Sequence, residues 1–206
     1  MLDARHLGSY DVIVSLGPTC QPAYQLRRLQ LRTSAGPLDW FISKSHEGFI
    51  KVISQRFDGF MTLAYMKNVG EFKTCYCIED TLHQIYSYHD FSMNTPRDRW
   101  QEDYLPFHDT LIRRQTRFLE RLVTASRSLF VRMNVSLQQS LELCALLDSM
   151  VKGEFTLLII VTDTKEMPAQ AQQLPSQLAY AYMGKGDDWR GPDEEWNQLL
   201  AAISIG

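Results

Sequence analysis

The stretch DVIVSLGPTCQPAYQLRRL (residues 11–29) changes its pattern halfway along, and that change decides the fold. The first half is apolar and rich in β-branched residues, which favours a strand. After the segment GPTC (17–20) the apolar residues recur at helical spacing, and Pro22 suits a first helical turn. The stretch therefore predicts a strand, a tight turn and a helix, with Cys20 where the helix starts.

Further apolar runs along the chain resemble this first strand. They are nearly continuous rather than alternating, which is typical of parallel strands covered on both faces. The first strand spans residues 11–16, and the further runs lie at 128–133, 156–161 and, more weakly, 178–183. Helical patterns separate them, at residues 21–30, 108–126, 136–151 and from 193 onward, and Ser136 is a good N-cap for the third of these helices. This alternation predicts an α/β fold, with a mainly parallel open sheet flanked by helices.

Residues 36–100 fit this scheme poorly. They contain a helical pattern at 45–57 and a Tyr-, Thr- and Cys-rich segment at 71–91 that favours a hairpin. Since no flexible linker bounds the segment, we expect a single domain over residues 1–206, in which 36–100 is an insertion covering the carboxyl edge of the sheet.

Composition narrows the class of protein. The chain has 206 residues, is 45% hydrophobic and carries a formal net charge of −3, which is ordinary for a globular protein. That charge does not favour a nucleic-acid or membrane partner. The polar N-terminus lacks the apolar core of a signal peptide, and the longest apolar run (155–161) is too short to span a bilayer. We therefore expect a cytoplasmic protein.

The four cysteines do not suggest a disulfide framework in a chain of this length. Cys75 and Cys77 lack the second ligand pair of a metal site, and Cys144 lies on an apolar helix stripe that predicts burial. We expect no metal and no cofactor.

Cys20 is the strongest candidate for chemistry. The pattern places it at the carboxyl end of a predicted central strand, where open α/β sheets bind ligands. The helix N-terminus favours a thiolate and so lowers the pKa of the thiol, and the amides of residues 19–21 could hold an oxyanion. Gly17 permits a sharp turn that exposes the side chain. The alternative is a buried cysteine without a catalytic role.

A thiol nucleophile needs a base, and His89 is the best candidate. It is flanked by aromatic residues near a predicted loop and is followed by Asp90. His108 is also followed by an aspartate, but that pair reads as a helix start with Asp109 as N-cap. The alternative for either histidine is a surface position.

The segment GPLDWF (36–41) is the other dense feature of the sequence. Asp39 could orient a histidine or bind a polar group of the substrate, with Trp40 beside it. It is equally reasonable for Asp39 to be a helix N-cap and for Trp40 to be a core anchor.

Several segments, taken in order, resemble a known family. They are SLGPTCQPAYQLRRLQLRTSAGPLDWFIS, YHDF, RRQTRFLERL with SLFVRMN, LLIIV and WRGPDEEW. The family is bacterial, catalogued as a domain of unknown function and described as papain-like cysteine peptidases. Its most specific matching parts are SLGxxC, the Asp-Trp pair and His-Asp-Phe. The resemblance covers residues 11–200, and residues 36–38 depart from the family's usual Pro-Phe.

This resemblance implies that Cys20 is the nucleophile, that His89 is the general base and that Asp39 or Asp90 supports it. We expect a cysteine hydrolase that attacks an amide or thioester carbonyl of a small-molecule or peptide substrate. An acyltransferase on a small molecule or glycan, using the same Cys-His dyad, is the first alternative, and a non-catalytic binding module is the second. The oligomeric state is left open. The predicted substrate-binding residues are Gly17, Thr19, Gln21 and Trp40.

Overall fold

The structure is a computed structural model that describes residues 2–166, 168 and 174–206. Its strands are β1 (Gly8–Tyr10), β2 (Val12–Ser15), β3 (Phe41–Ser43), β4 (Met66–Phe72), β5 (Cys75–Asp80), β6 (Ile85–Ser87), β7 (Arg127–Met133), β8 (Glu154–Val161), β9 (Leu178–Tyr182) and β10 (Ile203–Ile205). Its α-helices are α1 (Gln21–Arg28), α2 (His46–Ser54), α3 (Tyr104–Thr124), α4 (Leu137–Met150) and α5 (Asp193–Leu200). Short 3-10 helices lie at Ala4–His6, Leu63–Tyr65, Arg97–Asp103 and Thr164–Glu166.

A four-stranded sheet in the order β2-β7-β8-β9 is parallel throughout. Its strands are the four apolar runs of the sequence, so the predicted parallel sheet is confirmed. The expectation that the first strand is central is wrong, because β2 lies at the edge. The preceding strand, β1, instead pairs in parallel with β10 in a separate two-stranded sheet.

The core of this sheet explains why its strands are continuously apolar. In β7 and β8 every residue after the first is buried. Leu26 of α1 and Trp196 of α5 are 0% exposed and belong to the same hydrophobic cluster as Val131 and Ile160. Burial on both faces removes the alternation that a half-exposed strand would show.

Helix starts follow local sequence signals in one case and depart from them in another. Ser136 caps α4 as predicted: its hydroxyl accepts the Gln139 backbone N–H at 3.3 Å, and the side-chain Oε1 of Gln139 accepts the Ser136 backbone N–H at 3.0 Å. The long helix, however, begins at Tyr104, so Asp109 lies inside it and is not its N-cap. The 3-10 helix Arg97–Asp103 runs directly into α3, which moves the start of the helix before Asp109.

A second four-stranded sheet, in the order β3-β6-β5-β4, is antiparallel. The predicted hairpin of residues 71–91 is confirmed in it as the β5–β6 pair. The chain is therefore a mixed α/β protein with one parallel and one antiparallel sheet, which corrects the expectation of a mainly parallel one.

The chain divides into two compact units. The first comprises Met1–Asp39 and Glu120–Gly206, and the second is Trp40–Leu119. The second unit overlaps the predicted insertion at 36–100. Among the described residues, no helix combines the length and the apolar character needed to cross a membrane.

Candidate functional site

Cys20 stands at the start of α1, at the carboxyl end of β2. The register with β7 continues past the strand, since Leu16 N–H donates to the Val131 carbonyl at 2.8 Å and Met133 N–H donates to the Gly17 carbonyl at 3.0 Å. Gly17 has a φ of 76°, a conformation that favours glycine. Cys20 is the N-cap of α1, and its carbonyl accepts the first helical bond, from Tyr24 N–H at 3.0 Å. The predicted strand, turn and helix are confirmed.

The Cys20 side chain is not exposed as expected, because only 8% of the residue is accessible. Its backbone is already helical, with φ −70° and ψ −13°. Residues three apart share a helix face, and Ala23 on that face is fully buried. The thiol therefore lies on the inner side of α1 rather than at the tip of a sharp elbow.

Two polar groups flank this cysteine. The Thr19 hydroxyl accepts the Gln21 backbone N–H at 3.4 Å, a long bond that holds the amide only weakly. The Gln21 side-chain Nε2 is buried and has no hydrogen-bond partner among the described residues. A buried N–H without an acceptor is uncommon and costly, so it marks a position where an acceptor would be stabilised.

Arg132 is a residue of this region that the sequence analysis missed. It belongs to β7, is 2% exposed, and its guanidinium donates to the Leu16 carbonyl at the turn before Cys20. Burial lowers the pKa of Arg132 to about 9, so the side chain is still charged at neutral pH. A single arginine inside the apolar run SLFVRM was the signal that could have revealed it.

Asp39 is 1% exposed, and the structure pairs it with Arg32, which contacts its Oδ2 atom. The same oxygen accepts the Gly36 backbone N–H at 2.8 Å. Residues 37–40 form turns that lead into β3, so the alternative of Asp39 as a helix N-cap is wrong.

In the second unit, His89 and Trp40 lie together. Their ring centroids are 6.2 Å apart with the planes at 82°, an edge-to-face arrangement, and His89 is exposed. The Asp90 carboxylate accepts the Ser87 hydroxyl at 2.6 Å. Burial lowers the pKa of Arg114, and the charge of Asp90 opposes that effect.

His83 forms the buried imidazole–carboxylate pair of this unit. Its Nδ1 lies 2.8 Å from Oδ2 of Asp80, and both residues are 0% exposed. The same carboxylate accepts the backbone N–H groups of Met61, Leu82 and His83 at 2.8–3.2 Å. Because Asp80 ends β5 and its partners lie at the following turn and at Met61, the pair fixes local backbone structure.

A cysteine at the start of a helix that follows a parallel strand defines a candidate thiol enzyme. Over residues 11–165 the chain matches the family described as "Putative papain-like cysteine peptidase (DUF1796)", and it belongs to that family. The family description supports the coarse class of cysteine hydrolase.

A curated protein similar to this chain is "Uncharacterized protein R408" of Acanthamoeba polyphaga mimivirus. It is 26% identical over 174 residues, which cover 73% of this chain and 76% of that protein. Since the relative comes from a virus, the bacterial qualifier of the expected resemblance is not supported. No solved structure matches the chain.

Proposed function

We propose that the protein is a cysteine hydrolase in which Cys20 attacks the carbonyl carbon of an amide or thioester. His89 accepts the thiol proton as the C–S bond forms, and then gives it to the departing amine or thiol. Water releases the acyl group in a second step and regenerates the thiol. Membership of the family supports the class of reaction, and the two residue roles are our assignment.

The position of Cys20 carries this proposal. It is the N-cap of an eight-residue helix and so stands at the positive end of the helix dipole, although its side chain makes no capping hydrogen bond. The dipole stabilises a thiolate relative to a thiol. The buried charge of Arg132, held at the Leu16 carbonyl, adds a second positive group on the turn that leads to Cys20.

Gln21 is our candidate for the oxyanion donor. Its side-chain Nε2 is buried without a described partner and follows the nucleophile directly in the chain. The tetrahedral intermediate would provide the missing acceptor, together with the backbone amides of residues 19–21. Gly17, Thr19 and Trp40 remain proposed substrate contacts.

Asp90 is the better candidate for the carboxylate that orients His89. Asp39 already accepts from Arg32 and from the Gly36 amide. Asp90 follows His89 in the chain and accepts from a neutral hydroxyl, that of Ser87, whereas Asp39 is bound to the buried cation Arg32.

One observation favours acyl transfer as a second candidate. With Cys20 only 8% exposed, an acyl group on its sulfur would be shielded from bulk water, which slows hydrolysis relative to attack by a bound amine or hydroxyl. The same two residues would perform the first half of the reaction.

The test is a rapid-mixing assay with p-nitrophenyl acetate, comparing the native chain with Cys20→Ser, His89→Gln and the control Cys75→Ser. We expect a burst of nitrophenol stoichiometric with enzyme in the native chain and the control, and none in Cys20→Ser. His89→Gln should slow the burst by about 10²-fold or more. A burst that survives Cys20→Ser contradicts the proposal. Adding an amine then distinguishes hydrolysis from acyl transfer, because hydrolysis yields acetate and transfer yields the acetylated amine.

A further inference from the structure

A cavity of about 390 Å³ opens at the amino ends of β7, β8 and β9. The cavity lies at the amino ends of the parallel strands, whereas Cys20 lies at the carboxyl end of β2. All the residues that line it belong to the first unit. Its volume is in the lower part of the range for small-molecule sites, roughly 300–1,000 Å³. The polar lining residues that matter here are Arg5, His6, Arg127, Asp148, Glu154 and Thr156.

His6 is 6% exposed and is held in a closed ring of hydrogen bonds. The His6 Nδ1 atom lies 3.2 Å from the Thr156 hydroxyl oxygen. The Tyr10 hydroxyl oxygen lies 3.0 Å from that same Thr156 oxygen and 2.8 Å from the His6 carbonyl oxygen. Each hydroxyl has one proton to donate. Tyr10 is the donor in both of its contacts, so its one phenolic proton is shared between the His6 carbonyl and the Thr156 hydroxyl oxygen.

One nitrogen of the His6 ring stays outside this network. Burial lowers the pKa of His6, opposed by the charge of Asp3 and reinforced by those of Arg5 and Arg127. Nδ1 contacts Thr156, whereas the described residues give Nε2 no hydrogen-bond partner. Since His6 lines the cavity, its ring nitrogens are reporters of a ligand that binds there.

Arg127 supplies a positive charge to the same wall. Three of its N–H groups donate to the carbonyls of Leu7, Ser9 and Arg5 at 2.7–3.2 Å, and its guanidinium lies 4.3 Å from the centroid of the Tyr10 ring. A guanidinium has five N–H donors, so two remain. Among the described residues no carboxylate pairs with this cation, and two N–H groups on one guanidinium match the geometry of a carboxylate.

The opposite charge is supplied by Asp148 and Glu154. Asp148 accepts only a long bond, 3.4 Å, from the Gln177 side chain. The part of the chain that the structure describes gives the Glu154 carboxylate no partner. Neither acid is paired with a cation there, so the cavity carries uncompensated charge of both signs.

We propose that this cavity binds a small zwitterion of the amino-acid class. The ligand carboxylate lies on the free edge of Arg127, its ammonium lies between Asp148 and Glu154, and the ring of His6 lines the same cavity. A ligand that carries only one of the two charges can pair either with Arg127 or with the two acids, but not with both. The site is independent of the chemistry at Cys20, so either can fail without the other.

The test is a titration of the ¹⁵N-labelled chain with glycine and glycylglycine, followed through the side-chain nitrogens of His6. Both zwitterions should shift the Nε2 signal saturably at millimolar concentration, whereas acetate and methylammonium should not. Absence of a shift, or an equal shift with either half-ligand, overturns the proposal.

Charge variants locate the site. Asp148→Asn combined with Glu154→Gln should weaken glycine binding at least tenfold, roughly the loss of one charge-assisted hydrogen bond. The control combines Asp109→Asn with Asp187→Asn, two exposed acids away from the cavity, and makes the same change in net charge. Unchanged side-chain nitrogen signals of His6 in the absence of ligand show that each variant keeps the local fold. Equal affinity in the first pair, or equal loss in the control pair, contradicts the assignment.

Discussion

The Arg32–Asp39 pair yields a prediction whose size follows from its burial. The side chains are 8% and 1% exposed, so removing one partner leaves the other charge buried without this ion pair. Such a loss costs about 3–5 kcal/mol. Since a chain of this length loses about 2–4 °C of melting temperature per kcal/mol, Asp39→Leu or Arg32→Met should each lower the melting temperature by roughly 6–20 °C.

The double variant Arg32→Met with Asp39→Leu tests the reasoning. It removes both charges and leaves the Gly36 N–H without its acceptor, a cost of about 1–3 kcal/mol. The free energy of unfolding of the double variant should therefore equal or exceed that of the more stable single variant. The coupling energy between the two substitutions should be at least about 2 kcal/mol. Urea denaturation followed by circular dichroism measures all four chains. Strict additivity would show that the two charges do not depend on each other.

Further predictions concern stability. Gly48→Ala should destabilise the protein by about 1–3 kcal/mol although alanine favours helices, because the alanine Cβ would lie 1.9 Å from the His83 carbonyl oxygen. Gly70→Ala is the control: the space around Gly70 is open, so this variant should change stability little in the same denaturation assay. Ser128→Ala should be neutral or stabilising by up to about 1 kcal/mol, as its hydroxyl is buried without a described partner; a loss of stability would reveal a partner. Because burial lowers the pKa of His6 below its usual 6.5, the unfolded chain binds the proton first, so the free energy of unfolding should fall as pH drops from 6.5 toward the folded value. His6→Gln should flatten that slope, and an unchanged slope contradicts the assignment.

Features that depend on local sequence could be predicted. The apolar runs gave the strands of the parallel sheet, and Ser136 gave the start of α4, because strand burial and helix capping are written within a few residues. The turn into α1 was equally readable from residues 17–22.

Features that depend on distant pairing could not be predicted in this way. The edge position of β2 results from β1 pairing with β10, at the far end of the chain. The burial of Cys20 depends on what covers α1, which no local pattern records. Arg132 and the partner of Asp39 were missed for the same reason: an arginine shows in sequence, whereas the carbonyl or carboxylate it meets does not.

The central claim is that Cys20 is the nucleophile, and mapping the acyl group tests it most directly. The chain is quenched with acid during turnover of p-nitrophenyl acetate, digested and analysed by mass spectrometry. Cys144 is an internal control, since burial raises the pKa of its thiol to about 11. We predict acylation of the peptide that contains Cys20 and none at Cys144. Acylation at another residue, with the Cys20 peptide unmodified, would contradict the claim.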